Sequence, residues 1–279
     1  MFNSMRNKDD YVISNFGEEW KQFDQSPIKE AELTELFNNY FSIFPFELIG
    51  KDSEGFDMGC GSGRWALFIA NKVKRLNCVE PSKTALEIAK IKLKDFSNCY
   101  FQNADVMKNN LKNNSQDFGY SLGVLHHIPN TRLGLISCVK KLKKGAPFLI
   151  YLYYRFDNKP YWFQLIWRIT NVIRLMISKM PFKIKLFVTK LIALMVYWPL
   201  ARISLILENL GIDVKNIPIS SYRKTSFYTM QTDALDRFGT SLEHRFTKKE
   251  ILNMMEESGL TKIKFSNSIP FWVAVGLKK

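Results

Sequence analysis

Asp57 followed by Gly59, Gly61 and Gly63 at every second position is the arrangement in this chain best suited to chemistry. Asp57 closes a short run that reads as a strand, and Trp65 to Ala70 continue with a helical look. Glycines at such a junction let the backbone turn sharply and approach a ligand with no Cβ in the way. They also aim free N–H groups at a negatively charged ligand group. The spacing is neither G-x-x-x-x-G-K-[ST] nor G-x-G-x-x-G, so neither a phosphate-cradling loop nor a dinucleotide fingerprint is indicated. A second short run, Leu76 to Val79, ends about twenty residues on in a second acid, Glu80. Pro81 then suits the start of a helix. His126 and His127 follow a fourth apolar run, at the strand edge where ligands bind in such sheets. An imidazole there is matched to proton transfer near neutral pH. The pair lacks carboxylate partners, and His244 is the only other histidine, so no metal is expected.

The D-x-G-x-G-x-G pattern resembles motif I of the class I S-adenosylmethionine-dependent methyltransferases. The likeness extends along the chain. Cys99 to Val106 reads as a third strand, Leu125-His126-His127-Ile128-Pro129-Asn130 is similar to the block after the family's fourth strand, and Leu142 to Pro147 is similar to the turn into strand five. The resemblance implies an α/β fold, a doubly wound Rossmann-like seven-stranded sheet with a C-terminal antiparallel hairpin and an inserted helical cap. It implies S-adenosylmethionine as cofactor, with Asp57, Gly59, Cys60, Gly61 and Gly63 at its methionine end. Glu80 and Pro81 would serve the ribose, Asp105 and Val106 the adenine, and Gly123 would line the same site. The implied reaction is an in-line displacement of the sulfonium methyl, with His126 or His127 as the candidate base. Tyr151, Tyr153 and Tyr154 would line the acceptor pocket. A small or lipid-like acceptor, methylated at oxygen, is the expected substrate.

Stepping outward, residues 1–47 read as an N-terminal helical lid, 48–154 as the cofactor-binding core, 155–234 as the inserted cap and 235–279 as the rest of the core. Phe16, Trp20 and Phe23 share one helical face of the lid, to pack on the sheet or lie on the cofactor side. Thr247 with Glu250 is a capping box that starts a helix near the C-terminus. Arg237 and Arg245, near Asp233, Asp236 and Glu243, read either as a salt-bridge network or as a fork for a substrate carboxylate or phosphate. The segments Tyr153 to Phe163 and Asp233 to Thr247 are also similar to blocks in a group of bacterial methyltransferases.

The chain has a net charge of +14 and a pI near 9.5. From Arg155 to Arg202 nine basic residues face the single acid Asp157. In the cap, Gln164, Arg168, Asn171, Arg174 and Ser178 recur at spacings of three and four, forming a polar stripe on an apolar helix. A second helix is expected from Lys183 to Trp198, ending at Pro199, and a third from Ala201 to Leu210. The charge-free run Leu191 to Ala201 is shorter than the roughly twenty residues a span needs, so no transmembrane helix is expected. These apolar faces either roof a hydrophobic pocket or meet an anionic membrane peripherally. The charge alone leaves an RNA-modifying methyltransferase as an alternative, though no nucleic-acid module is recognisable and the apolar cap argues against that partner. A catalytically silent cofactor-binding protein at a membrane surface is a further alternative. Cys60, Cys78, Cys99 and Cys138 are scattered and read as small apolar filler in a reducing compartment. With no secretion signal at the N-terminus, a cytoplasmic location is expected, free or at the inner face of the membrane. The oligomeric state is left open.

Overall fold

The computed structural model describes residues 7–279; the first six residues of the expected 1–47 lid lie outside the described residues. Seven strands, β1 (Glu54–Met58), β2 (Arg75–Glu80), β3 (Cys99–Asn103), β4 (Phe118–Leu122), β5 (Pro147–Tyr151), β6 (Leu260–Phe265) and β7 (Ala274–Lys278), pair in the order β3-β2-β1-β4-β5-β7-β6. The first five run parallel, while β7 lies antiparallel to both β5 and β6. Strand order reverses between β1 and β4, the switch point outside whose carboxyl ends ligands bind in open α/β sheets. The central strands are buried on both faces, even though β1 carries Asp57 and β2 carries Asn77 and Glu80.

One reciprocal fit holds the switch point closed. In the β1–β4 register Gly55 faces Phe118 and Phe56 faces Gly119. Each ring occupies the space a side chain on the opposing glycine would need: a Cβ on Gly55 would lie 2.2 Å from the Phe118 ring, and one on Gly119 would lie 2.3 Å from the Phe56 ring. Both rings are fully buried. The ends of β1 and β4, which carry the acid and the histidine turn, are thereby fixed side by side.

The chain divides into two compact units. The first comprises residues up to Gln25, Leu36–Tyr154 and Leu242–Lys279. It contains the sheet, with helices α1 (Asp10–Gln22), α3 (Ala66–Ala70), α4 (Lys83–Lys92), α5 (Thr131–Lys141) and α10 (Lys248–Glu257); α2 (Glu30–Phe41) begins in the second unit and ends in the first. The Thr247–Glu250 capping box forms at the start of α10.

The second unit is Ser26–Glu35 with Arg155–Ser241. It is helical: α6 (Tyr161–Ile177), α7 (Phe182–Ile192), α8 (Trp198–Asn209) and α9 (Phe227–Gly239). Residues 26–35 belong to it because Glu32 Oε1 accepts from Ser226 N, Ser226 Oγ and Thr229 Oγ1 at the start of α9. The sequence suggests a break at Pro199, but α7 and α8 form one continuous helix, Phe182–Asn209. A π-helical turn at Ala193–Tyr197 precedes α8, with Pro199 in its first turn. The wider turn accommodates the proline ring inside the continuous helix.

The C-terminal part of the α6 polar stripe, Arg174 and Ser178, is buried, while Arg168 stays exposed. Arg174 donates from Nη1 to Thr240 O and Ser241 O, and Lys185 of α7 donates to Gly239 O. These carbonyls are the C-terminal end of α9, where unsatisfied acceptors and the helix dipole favour cations. Gly119→Ala forces a Cβ into the Phe56 ring and should lower stability by about 1–3 kcal/mol, read as a lower urea midpoint with an unchanged m-value.

Candidate functional site

The glycine loop is built by backbone hydrogen bonds to β2 and within itself. Gly59 N and Cys60 N donate to Val79 O on β2, and Gly63 N donates to Cys60 O. Gly59, Gly61 and Gly63 all have positive φ, and a Cβ on Gly59 would meet the Val124 methyls at 2.4 Å. Glu80 ties this loop to the next turn: its Oε2 accepts from Gly61 N at 3.0 Å and its Oε1 from Ser82 N at 2.8 Å. Each oxygen retains a lone pair for a ligand hydroxyl. Asp105 lies beyond β3, its Oδ1 accepting from Met107 N and Lys108 N. Val106 is buried beneath, and its carbonyl accepts from Ser137 Oγ. A Cβ built on Gly123, after β4, would meet nothing within 4 Å.

The donor set fits a cationic, hydroxyl-bearing cofactor. Asp57 is fully buried and its Oδ2 has no hydrogen-bond partner among the protein atoms, so an acceptor is presented to whatever donor binds. Burial pushes the Asp57 carboxyl up to about 8, against the lowering effect of the Tyr120 hydroxyl beside it. Burial likewise pushes Glu80 up to about 7, opposed by the Ser82 and Gly61 amides. A ligand ammonium or sulfonium favours the ionised forms of both. Cys60, Cys78, Cys99 and Cys138 are free and buried. Among the described residues no cluster of His, Cys, Asp and Glu could hold a metal ion.

Helix α1 lies over this cradle. A Cβ on Gly61 would touch the Trp20 indole at 3.0 Å, a Cβ on Gly17 would touch Ser82 Oγ at 2.7 Å, and Arg64 stacks its guanidinium 4.3 Å from the Trp65 ring. Asn7 exchanges two hydrogen bonds with the Asn130 backbone, tying the start of the described chain to the histidine turn. Tyr40, at the end of α2, packs on Trp65 and Tyr151.

The two histidines differ. The His126 ring stacks on Tyr153 at 3.9 Å, and its Nδ1 accepts from Tyr153 N, so its proton lies on Nε2, a buried donor without a protein partner. Burial, with His127, Arg245 and His244 nearby, holds it well below the usual imidazole range and keeps it neutral. His127 has the opposite tautomer. Its Nδ1 lies 2.8 Å from Leu242 O, which can only accept, so the lone pair sits on Nε2. Phe16 of α1 packs against the His127 ring at 5.0 Å.

Of the tyrosines proposed to line an acceptor pocket, Tyr151 and Tyr153 lie together beside the histidines. The Tyr154 ring turns to Phe271 and Trp272. Arg237 belongs to the second unit, its guanidinium over Phe238 of α9. Arg245 and Glu243 form a buried ion pair at 2.7 Å, with the guanidinium over the Tyr153 ring. Tyr120 and Leu242 O escape sequence reasoning: Tyr120 reads as one more apolar strand residue, and a backbone carbonyl carries no sequence signal.

Both buried carboxyls bind their protons more tightly folded than unfolded, so the stability of the ligand-free protein falls as pH rises from about 4 to about 8. Asp57→Asn removes the larger contribution and should flatten this fall, measured as the difference in urea midpoint between pH ~5 and pH ~8.5 for the two proteins.

Residues 56–150 match the family model described as "Methyltransferase domain". No curated protein matches the chain in sequence. Among solved structures, a Thermotoga maritima protein described as "SAM-dependent methyltransferase, possible histamine N-methyltransferase" aligns over 96% of this chain and 99% of its own, with TM-score 0.52 and 14% identity. A chain from the complex containing the Haloferax volcanii Trm112 methyltransferase activator aligns over 97% of this chain and 98% of its own, with TM-score 0.53 and 11% identity. The YcgJ protein of Bacillus subtilis covers 85% of this chain and 70% of its own, with TM-score 0.50 and 13% identity. At these identities the structures establish the fold, and the family match gives residues 56–150, from β1 to β5, the character of a methyltransferase domain within it.

Proposed function

We propose that the chain methylates a hydroxyl, or a nucleophile of similar acidity, on a small or amphipathic acceptor, with His127 as the proton acceptor. Bound S-adenosylmethionine supplies an electrophilic methyl on a positively charged sulfur, a good leaving group. In this reading Asp57 with the Gly59–Gly63 loop holds the methionine end, Glu80 the ribose, and Asp105 with Val106 the adenine. Tyr151 and Tyr153 orient the acceptor, which gains most of its rate from being held about 3 Å from the methyl carbon and in line.

The observation that carries the base assignment is the pair of opposed tautomers. With Nδ1 committed to Leu242 O, His127 presents the lone pair on Nε2, and loss of the acceptor's proton makes it an imidazolium stabilised by that carbonyl. His126, with its proton on Nε2, is a donor, suited to orienting the acceptor oxygen rather than deprotonating it. The RNA reading loses its main support, because several cations behind it are internal donors. Arg174 and Lys185 bind carbonyls, and Arg202 donates to Arg223 O and Thr225 O.

His127→Ala should lower methyl transfer about 10²–10⁴-fold with S-adenosylmethionine binding unchanged, and His127→Gln should behave alike. Incorporation of radiolabelled methyl groups into a panel of hydrophobic hydroxylated compounds measures this. Full activity of His127→Ala, or label entering RNA instead, would sink the proposal.

A further inference from the structure

We propose that the second unit is a membrane-docking surface that seats helix α6 and the continuous helix Phe182–Asn209 in the plane of an anionic lipid leaflet. The amphipathicity of these helices is inverted relative to a water-facing protein. Several of their cationic and hydroxyl side chains are buried: Arg174 is 4% exposed, Lys185 1% and Ser204 0%, while Arg168, Lys183 and Lys190 stay exposed. Their large apolar side chains point outward. On α6, Ile169, Val172 and Met176 are 57–59% exposed. On the longer helix Phe187 is 64%, Met195 72% and Ile206 59% exposed. An ordinary surface helix has the opposite arrangement, and apolar patches of this extent mark interaction sites. The helix Phe182–Asn209 is strongly apolar and leaves most of its surface unburied.

Position along the helices identifies the partner. At about 100° per residue, Ile169, Val172 and Met176 fall within one arc of α6 that contains no charge, with Arg168 at its edge. The exposed apolar residues Ile184, Phe187 and Leu191 of α7 form a similar arc, bordered along one side by Lys183 and Lys190. Lysines there can rest their stems on apolar surface and carry their charge to the headgroup level. The acid Glu208 is paired with Arg223 and Lys224. A second copy is a poorer fit, because a two-fold dimer through this face would set like basic rims against each other.

By length and composition the helix Phe182–Asn209 could also cross a bilayer. However, the segments before Arg155 and after Ser241 pair in one sheet, β5 with β7. A crossing by this helix therefore demands a second one. The candidates for it are α6, with Arg168 and Arg174, and α9, only 13 residues long with Asp233, Asp236 and Arg237. An in-plane seat needs no charged return.

The test is flotation of the full chain with vesicles of phosphatidylcholine alone or mixed with phosphatidylglycerol. Wild type should float with the mixed vesicles, and added salt should weaken the binding. Lys183→Glu/Lys190→Glu should lower partitioning at least about fivefold per residue. Ile169→Ser/Phe187→Ser/Met195→Ser should lower it more than about a hundredfold while keeping the wild-type circular dichroism. If that variant loses its fold, the lysine pair alone decides. Wild type remaining free of both vesicles overturns the proposal, as does a dimer in sedimentation that the serine variant converts to monomer. Binding to bilayers that resists high salt and alkaline carbonate would show a spanning helix and overturn it too.

Discussion

The carboxylate of Glu80 is the constraint on which the functional half of the molecule depends. It accepts from Gly61 N with one oxygen and Ser82 N with the other, joining the glycine loop after β1 to the turn after β2. A loop of three positive-φ glycines has little stiffness of its own. The Glu80 clamp, the Val79 carbonyl and the Trp20 ring give it one shape. Holding an acid there requires burial, and burial raises its pKa. The ligand-free site therefore carries less negative charge than its formula suggests, and a cationic ligand draws out the missing charge.

Much of this was legible in the sequence, for specific reasons. β4 and β5 read as strands because they are parallel, buried and largely apolar, whereas β1 and β2 carry Asp57 and Glu80 within them and are marked by the glycine loop and by Pro81 that follow. Residue type, spacing and the family resemblance single out Asp57 and Glu80 as candidates, and the structure buries both. The roles of His126 and His127 could not be separated, because the difference lies in Tyr153 N and in Leu242 O, the latter 115 residues from the ring it fixes. Tyr154 was grouped with Tyr151 and Tyr153, yet its ring packs with Phe271 and Trp272 in the core cluster.

The second unit shows a different limit. Periodicity revealed a polar and an apolar face on α6, but a period says nothing about which face looks inward. Here three carbonyls at the end of α9 draw Arg174 and Lys185 in, and the apolar faces go outward as a result. Pro199 suggested a helix end because a proline normally interrupts the ladder. The π turn at Ala193–Tyr197 removes that conflict and lets one helix run to Asn209. The surplus of positive charge has the same origin in part: these cations stabilise backbone acceptors.

The central claim is that Asp57 and the Glu80-clamped glycine loop form the binding site for the methyl donor. Calorimetric titration of S-adenosylmethionine into the wild-type protein and into Asp57→Ala tests it most directly. Wild type should bind with micromolar affinity and release protons as the buried carboxyls ionise, and the variant should keep its fold and lose binding. Equal binding by the two proteins, or none by a folded wild type, would contradict it.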